Sequence, residues 1–292
     1  MTITAQQVKE LRDRTGAGMM ECKKALVETS GDLEAAIDHL RKAGLAKAGK
    51  KAGRVAAEGV IALARNASEA VLVEINSETD FVARDASFLE FAGQTADAAL
   101  HTHAGDAAEL TAAALPGGET VETARQALIA RIGENVQVRR LARLTGGGAL
   151  GAYIHGGRIG VLVTVQGGDQ ELADDLAMHI AAFAPQWIDH SAVPPEVIAK
   201  EKEILLAQAE GSGKPPEIVA KMVEGRLAKQ LDETTLAGQP FVKDNDTKVG
   251  KLLAARGAKV LDFVRLVVGE GIEKETSDFA AEVMSQVRRD GE

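Results

Sequence analysis

A unit of strand, turn, strand, acid and helix occurs twice in this chain, and that repetition constrains the fold more than any single motif does. Gly59 to Arg65 and Ala70 to Asn76 are rich in branched and apolar residues and flank Asn66-Ala67-Ser68, so they pair as a hairpin. From Thr79 onward the chain turns helical, with Phe88, Leu89 and Phe91 continuing an apolar pattern. Ala149 to His155 and Arg158 to Gln166 form a second hairpin across Gly156-Gly157, and Asp169-Gln170-Glu171 then opens a helix through Met178 and Ile180. Identity between the two units is weak, yet the shared order points to a duplicated design. Between them Glu119 to Ile132 reads as a helix and Val136 to Leu144 as a strand carrying Arg139, Arg140 and Arg143. Lys259 to Val268 alternates as a later strand that Gly269-Glu270-Gly271-Ile272 breaks. Each half therefore has a sheet with helices against it, an α+β class with antiparallel sheets.

Helical segments flank this two-part core. Thr4-Ala5-Gln6-Gln7 fits a capping box and starts a helix over Ala5 to Arg14; Thr15-Gly16-Ala17-Gly18 breaks it, and Met19 to Thr29 resumes. Ser30-Gly31-Asp32 is the next turn. A third helix carries Leu33, Ala36, Ile37 and Leu40 at helical spacing, with Gly44 where a C-terminal cap belongs. Lys47, Lys50, Lys51 and Arg54 follow, with no acid from Ala43 to Ala57, as a basic linker that is either helix or tether. Farther on, Pro194-Pro195 starts a helix to Glu210, Gly211 to Pro216 turns it, and Glu217 to Leu231 returns. On the return Val219, Met222, Val223 and Leu227 form one stripe, expected to pack on Val197, Ile204 and Leu205. This arm either projects, recruiting a second copy or another protein, or lies flat on its own domain. Thr276 to Arg289 reads as a terminal helix with Phe279, Val283, Met284 and Val287 on one side. The expected divisions are 1–45, a linker at 46–57, core halves at 58–144 and 145–270 with the hairpin at 194–232 inside the second, and a terminal module at 271–292.

Composition narrows the partners. A hydrophobic share of 45% is too high for a disordered chain, and a net charge of −9 disfavours general affinity for phosphate backbones. Aromatic residues at 3%, with one Trp and one Tyr, leave few platforms for stacking bases. A protein partner or small ligand fits better than nucleic acid. The single Cys22 excludes an intramolecular disulfide and has no CxxC companion, so helix packing is its expected role. No uncharged apolar run approaches the ~20 residues a membrane span needs, and Met1 to Glu10 lacks a signal-like apolar core. The expectation is a soluble, reduced, cytoplasmic protein.

Chemical motifs fail on context. Gly44 to Lys51 matches a phosphate loop up to Lys51, which replaces the Ser or Thr that holds magnesium, and it follows a helix instead of a strand. Gly146-Gly147-Gly148-Ala149-Leu150-Gly151 satisfies G-x-G-x-x-G, but strand-like sequence follows where a dinucleotide fold requires a helix. His101-Thr102-His103 reads as a solvated helix end. No nucleophile, base and orienting acid assemble into a triad, and no cofactor is expected. The informative stretch is Asn76-Ser77-Glu78-Thr79-Asp80-Phe81-Val82-Ala83, an acid beside an aromatic ring where a strand gives way to a helix. Two readings compete. In one, Thr79 or Asp80 caps the helix and Phe81, seven residues before Phe88, is buried; in the other, acid and ring form a wedge against another protein. Met19 and Met20 are adjacent and cannot both face one small core, so either one lies exposed or both are partly buried at the helix start.

Thr15-Gly16-Ala17-Gly18-Met19-Met20, Cys22-Lys23-Lys24-Ala25-Leu26 and Thr79-Asp80-Phe81-Val82-Ala83 together resemble the signatures of the bacterial elongation factor Ts family. Ile132-Gly133-Glu134-Asn135, His155-Gly156, Ser212-Gly213-Lys214-Pro215, Lys221 to Arg226, Gly238 to Val242 and Gly269 to Glu273 extend the resemblance along the chain, with 101–119 matching least. The resemblance implies an N-terminal module like a ubiquitin-associated domain, a two-part core, a helical hairpin and a nucleotide exchange role toward elongation factor Tu, GDP-bound or empty. It implies that Thr79, Asp80, Phe81 and Val82 enter the GTPase near its magnesium and phosphate site, that Met19 and Met20 touch the nucleotide-binding domain, and that His155 reaches a more distant domain. For His155 the plainer role is a hairpin-turn residue.

Overall fold

The computed structural model describes residues 3–209 and 215–273; the expected turn of the arm and the expected terminal helix at 276–289 lie outside the described residues. Three helices come first, α1 (Ala5–Thr15), α2 (Met19–Glu28) and α3 (Leu33–Lys51). The Thr4 hydroxyl accepts the Gln7 amide at 3.2 Å while the Gln7 side chain accepts the Thr4 amide at 3.0 Å, so both arms of the capping box form. Val8, Leu11, Cys22, Ala25, Leu26 and Ala36 make the small core of this module, and the Cys22 thiol is buried there. The third helix differs from expectation. It does not stop at Gly44 but continues to Lys51, absorbing the first half of the expected linker. Gly44 is buried, and a Cβ there would stand 3.2 Å from that of Ala130. The glycine thus permits close packing of α3 on a core helix and terminates nothing.

The first half of the core contains β1 (Glu58–Arg65), β2 (Glu69–Ser77), α4 (Ala86–Thr102), α5 (Ala107–Ala112), α6 (Val121–Ile132) and β3 (Val136–Thr145). The second contains β4 (Ala149–His155), β5 (Ile159–Gln166), α7 (Gln170–Phe183), the hairpin α8 (Pro195–Ala209) and α9 (Pro216–Thr234), a two-stranded β6 (Pro240–Phe241) and β7 (Asp244–Lys248), α10 (Val249–Ala255) and β8 (Lys259–Val267). Both halves use one topology: a hairpin, then helices, then a strand returning antiparallel to the hairpin's second strand, in the orders β1-β2-β3 and β4-β5-β8. Each third strand slips its register at a bulge, between Glu74 and Ile75 in one half and between Thr164 and Val165 in the other.

The central strands explain the layering. Every residue of β2 is buried, because alternate side chains face different layers. Val71, Val73 and Ile75 pack on Phe88, Phe91, Leu128 and Ile129 of the helices, whereas Ala70 and Leu72 meet Leu162 and Leu266 of the second sheet. In β5, Val161, Val163 and Val165 likewise pack on Leu172, Leu176 and Ile180. The result is helices, sheet, sheet, helices, with an apolar seam between the sheets. At Gly160 the sheets approach so closely that a Cβ would lie 2.5 Å from Ile61. The arm is a separate, thinner contact. Leu205 and Ala209 of α8 meet Val219, Val223 and Leu227 of α9, but Ile204, expected in that seam, is 41% exposed. Leu205 and Ala209, spaced one turn apart, set the inner face, and Ile204 falls beside it.

Candidate functional site

After β2 the chain leaves the sheet through residues 78–85. Ser77 donates its hydroxyl to the Thr79 carbonyl at 2.9 Å, and Thr79 donates its backbone N–H at 3.0 Å and its hydroxyl at 2.8 Å to the Glu134 carboxylate. Thr79 is thus engaged with the loop before β3; its oxygen also accepts the Val82 amide at 3.4 Å, and it lies too far back in the chain to cap the helix that follows. A short 3-10 turn over Val82–Arg84 intervenes, and Asp85 caps α4 by accepting the amides of Ser87 and Phe88. The Ser87 hydroxyl and those amides outweigh the upward push of desolvation and hold the Asp85 carboxyl below the usual aspartate range.

This arrangement decides between the two readings of the acid–phenylalanine pair. Val82 and Ala83 turn inward and are buried, while Phe81, between them and Asp80, is 81% exposed. Leaving such a ring in water forgoes about 1.5–3 kcal/mol of burial, so the core role expected for it in one reading is overturned. Asp80 is half-buried and paired with Arg84 at 2.9 Å. Acid and ring stand together on a braced turn at the surface.

Met19 and Met20 are both exposed, at 53% and 76%, and Val27 extends the apolar face of α2. The Gly16 turn just before them lies against the Arg131 side chain, and the charge of Arg131 also reaches Asp85. His155 is exposed at the end of β4, with its ring beside Tyr153 and Nδ1 3.3 Å from the phenol oxygen.

The basic strand β3 turns inward as well. Arg139 and Arg140 reach the buried Glu74 at 3.0 and 2.5 Å, and Arg143 reaches Glu69 at 2.7 Å. Burial pushes the Glu74 pKa up, but the Gly269 amide, Arg140, Asn76 and Arg139 together hold it below the ordinary glutamate range. These arginines are spent on carboxylates of the fold and are not a free basic patch. Among the described residues no group of His, Cys, Asp or Glu is arranged to hold a metal ion, and no helix is long and apolar enough to cross a membrane. Glu78, Glu134 and Asn135 are the site residues that sequence periodicity did not single out. Glu78 stood inside the informative stretch without a role, and the signal for Glu134 and Asn135 was that Ile132 to Asn135 belongs to the matching segments.

Fold and site together define an α+β protein of two helix-backed sheets, with an acid and an aromatic ring exposed on a braced turn. The family model for elongation factor TS matches residues 78–270. An elongation factor Ts from Thioalkalivibrio sulfidiphilus is 59% identical over 99% of both chains, and one from Methylococcus capsulatus is 58% identical over the same share. One from Alcanivorax borkumensis is 60% identical over 94% of this chain and 98% of its own. The chain belongs to the elongation factor Ts family and is a translation elongation factor.

Proposed function

We propose that this chain is a guanine nucleotide exchange factor that binds GDP-bound elongation factor Tu, disturbs its magnesium and phosphate site and promotes GDP release. The observation that carries the reading is Phe81, 81% exposed beside Asp80 on a turn whose flanking residues are anchored. Phe81 acts as a wedge between elements of the GTPase, Asp80 competes for polar groups near the metal, and Thr79 and Val82 shape the turn. Because magnesium offsets the charge of the β-phosphate, loosening its support weakens the hold on the nucleotide. Met19 and Met20 add contacts to the nucleotide-binding domain, His155 touches a more distant domain, and the helical hairpin offers a surface for self-association.

Such a protein needs no catalytic group of its own. A factor that binds the empty GTPase more tightly than the GDP form lowers GDP affinity by the same factor, as reciprocity demands. The test is release of a fluorescent GDP analogue from purified elongation factor Tu with catalytic amounts of this protein. Acceleration by the unmodified chain and slow release with folded Phe81→Ala are expected; no acceleration with a cognate, magnesium-loaded partner would reject the reading.

A further inference from the structure

The turn carrying Asp80 and Phe81 and the loop between α6 and β3 hold each other by a reciprocal exchange. Glu134 accepts the Thr79 amide at 3.0 Å, and Glu78 accepts the Asn135 amide at 2.6 Å. Each loop supplies one carboxylate and one backbone donor to the other. Arg54 closes on the second oxygen of Glu78 at 3.3 Å, and the buried Asn135 side chain donates to the Arg54 carbonyl at 2.8 Å and to that of Ala52 at 3.4 Å. The segment leaving α3 is thereby tied into the same knot.

We propose that Glu78 and Glu134 are positioning residues, whose paired carboxylate–amide clasp sets the docking geometry of Asp80 and Phe81 and, through Arg54 and Asn135, fixes the Met19 and Met20 module in register with it. The inference rests on the exchange-factor reading. The fold does not need the clasp to start α4, because Asp85 caps that helix unaided, and in the second half Asp169 starts α7 directly after two glycines. What the clasp adds is order at an exposed apolar side chain. Hydrogen bonds to a carboxylate are short and stronger than neutral ones. A turn held in the docking shape has less freedom to lose on binding, whereas a turn that visits open shapes binds more weakly in proportion to its competent fraction.

The variants are Glu134→Gln and Glu78→Gln, each keeping side-chain size and one carbonyl acceptor while removing the charge. Amide hydrogen exchange of the free protein at Thr79, Val82 and Asn135 is read first, then GDP release from the GTPase across a range of factor concentrations, with Phe81→Ala alongside. Expected are lost protection at these amides, a half-saturating concentration raised about ten-fold for either variant, an unchanged maximal rate and a melting temperature lowered by only a few degrees, with unfolding still cooperative. Phe81→Ala, which removes the wedge and leaves its support, should instead lower the maximal rate. Unchanged protection and unchanged half-saturation in both glutamine variants would overturn the clasp while leaving the exchange reading intact. Phe81→Ala exchanging as fast as the unmodified chain would instead overturn that reading; the clasp is then judged on the amide protection, which requires no partner. Should Glu134→Gln fail to fold, Glu78→Gln carries the same comparison from the other side of the exchange.

Discussion

After β5 the chain turns into α7 through Gly167, Gly168 and Asp169, whereas after β2 it uses residues 78–85 to reach α4. Both routes end on an aspartate that caps the following helix, Asp169 in one half and Asp85 in the other. Topology and bulge position are shared, so the second half shows how little the fold requires at this junction. The longer route in the first half, Glu78 to Arg84 ahead of the capping aspartate, carries the exposed ring, the acid and the clasp. Comparing two copies of one design within a chain thus separates what builds the fold from what is added at its surface.

Substitutions at matched positions test that separation. The largest effect should come from Phe88→Ala, which empties a fully buried site under β2 and should cost about 4 kcal/mol in urea unfolding; Phe81→Ala should cost less than about 0.5 kcal/mol there but slow GDP release by about a hundredfold, the scale of losing an aromatic hot spot. Equal destabilisation by the two would erase the distinction between supporting and presented residues. Next, Glu74→Gln should lose about 3 kcal/mol by leaving Arg139 and Arg140 partly uncompensated. Since the folded pKa of Glu74 is lowered, its contribution is complete above the unfolded value near 4.3 and disappears as pH falls through the folded value. A Glu74→Gln variant should therefore show a flatter decline of stability with acid than the unmodified chain.

The second half has its own pH signature at His179. It is fully buried, accepts the Val242 amide on Nδ1 at 3.2 Å and meets the Gln239 carbonyl oxygen through Nε2 at 3.0 Å, an arrangement that suits the neutral ring. Desolvation lowers its pKa against the opposing pull of Gln239, so the unfolded chain takes up the proton first, and stability should fall as pH drops below about 6.5. Thermal melts between pH 7.5 and 5.5 should show this for the unmodified chain and not for His179→Gln. The smallest effect belongs to Thr164→Val at the bulge matching Glu74. No protein group among the described residues bonds the buried Thr164 hydroxyl, so its removal should be neutral or stabilising by up to about 1 kcal/mol.

Local chemistry was legible in the sequence. The capping box at Thr4, the cap at Asp169, both hairpins and the strands β3 and β8 follow from residues a few positions apart. Contacts distant in sequence were not. Thr79, Asp80 and Asp85 all offer cap oxygens in series, and Asp85 takes the role because the chain first makes a turn over Val82–Arg84, while Glu134, fifty-five residues away, holds Thr79 at the start of that turn. Gly44 reads as a helix end until Ala130 is seen against it. The short elements α5, α10, β6 and β7 lack a full period of apolar pattern, and α5 falls in the stretch 101–119 that matched the family least. The exposure of Phe81 could not be separated from burial by periodicity, since its seven-residue spacing to Phe88 suits a helix that begins only at Ala86.

The seam between the sheets makes the halves mutually dependent. Ile61, Leu72 and Leu144 on one side, with Leu150, Leu162 and Leu266 on the other, would each face water if the halves parted. Cutting the chain at Gly146-Gly147 would therefore yield two fragments that aggregate when made singly and reassemble when made together, so that recovery of GDP release could report on the joining of the two fragments.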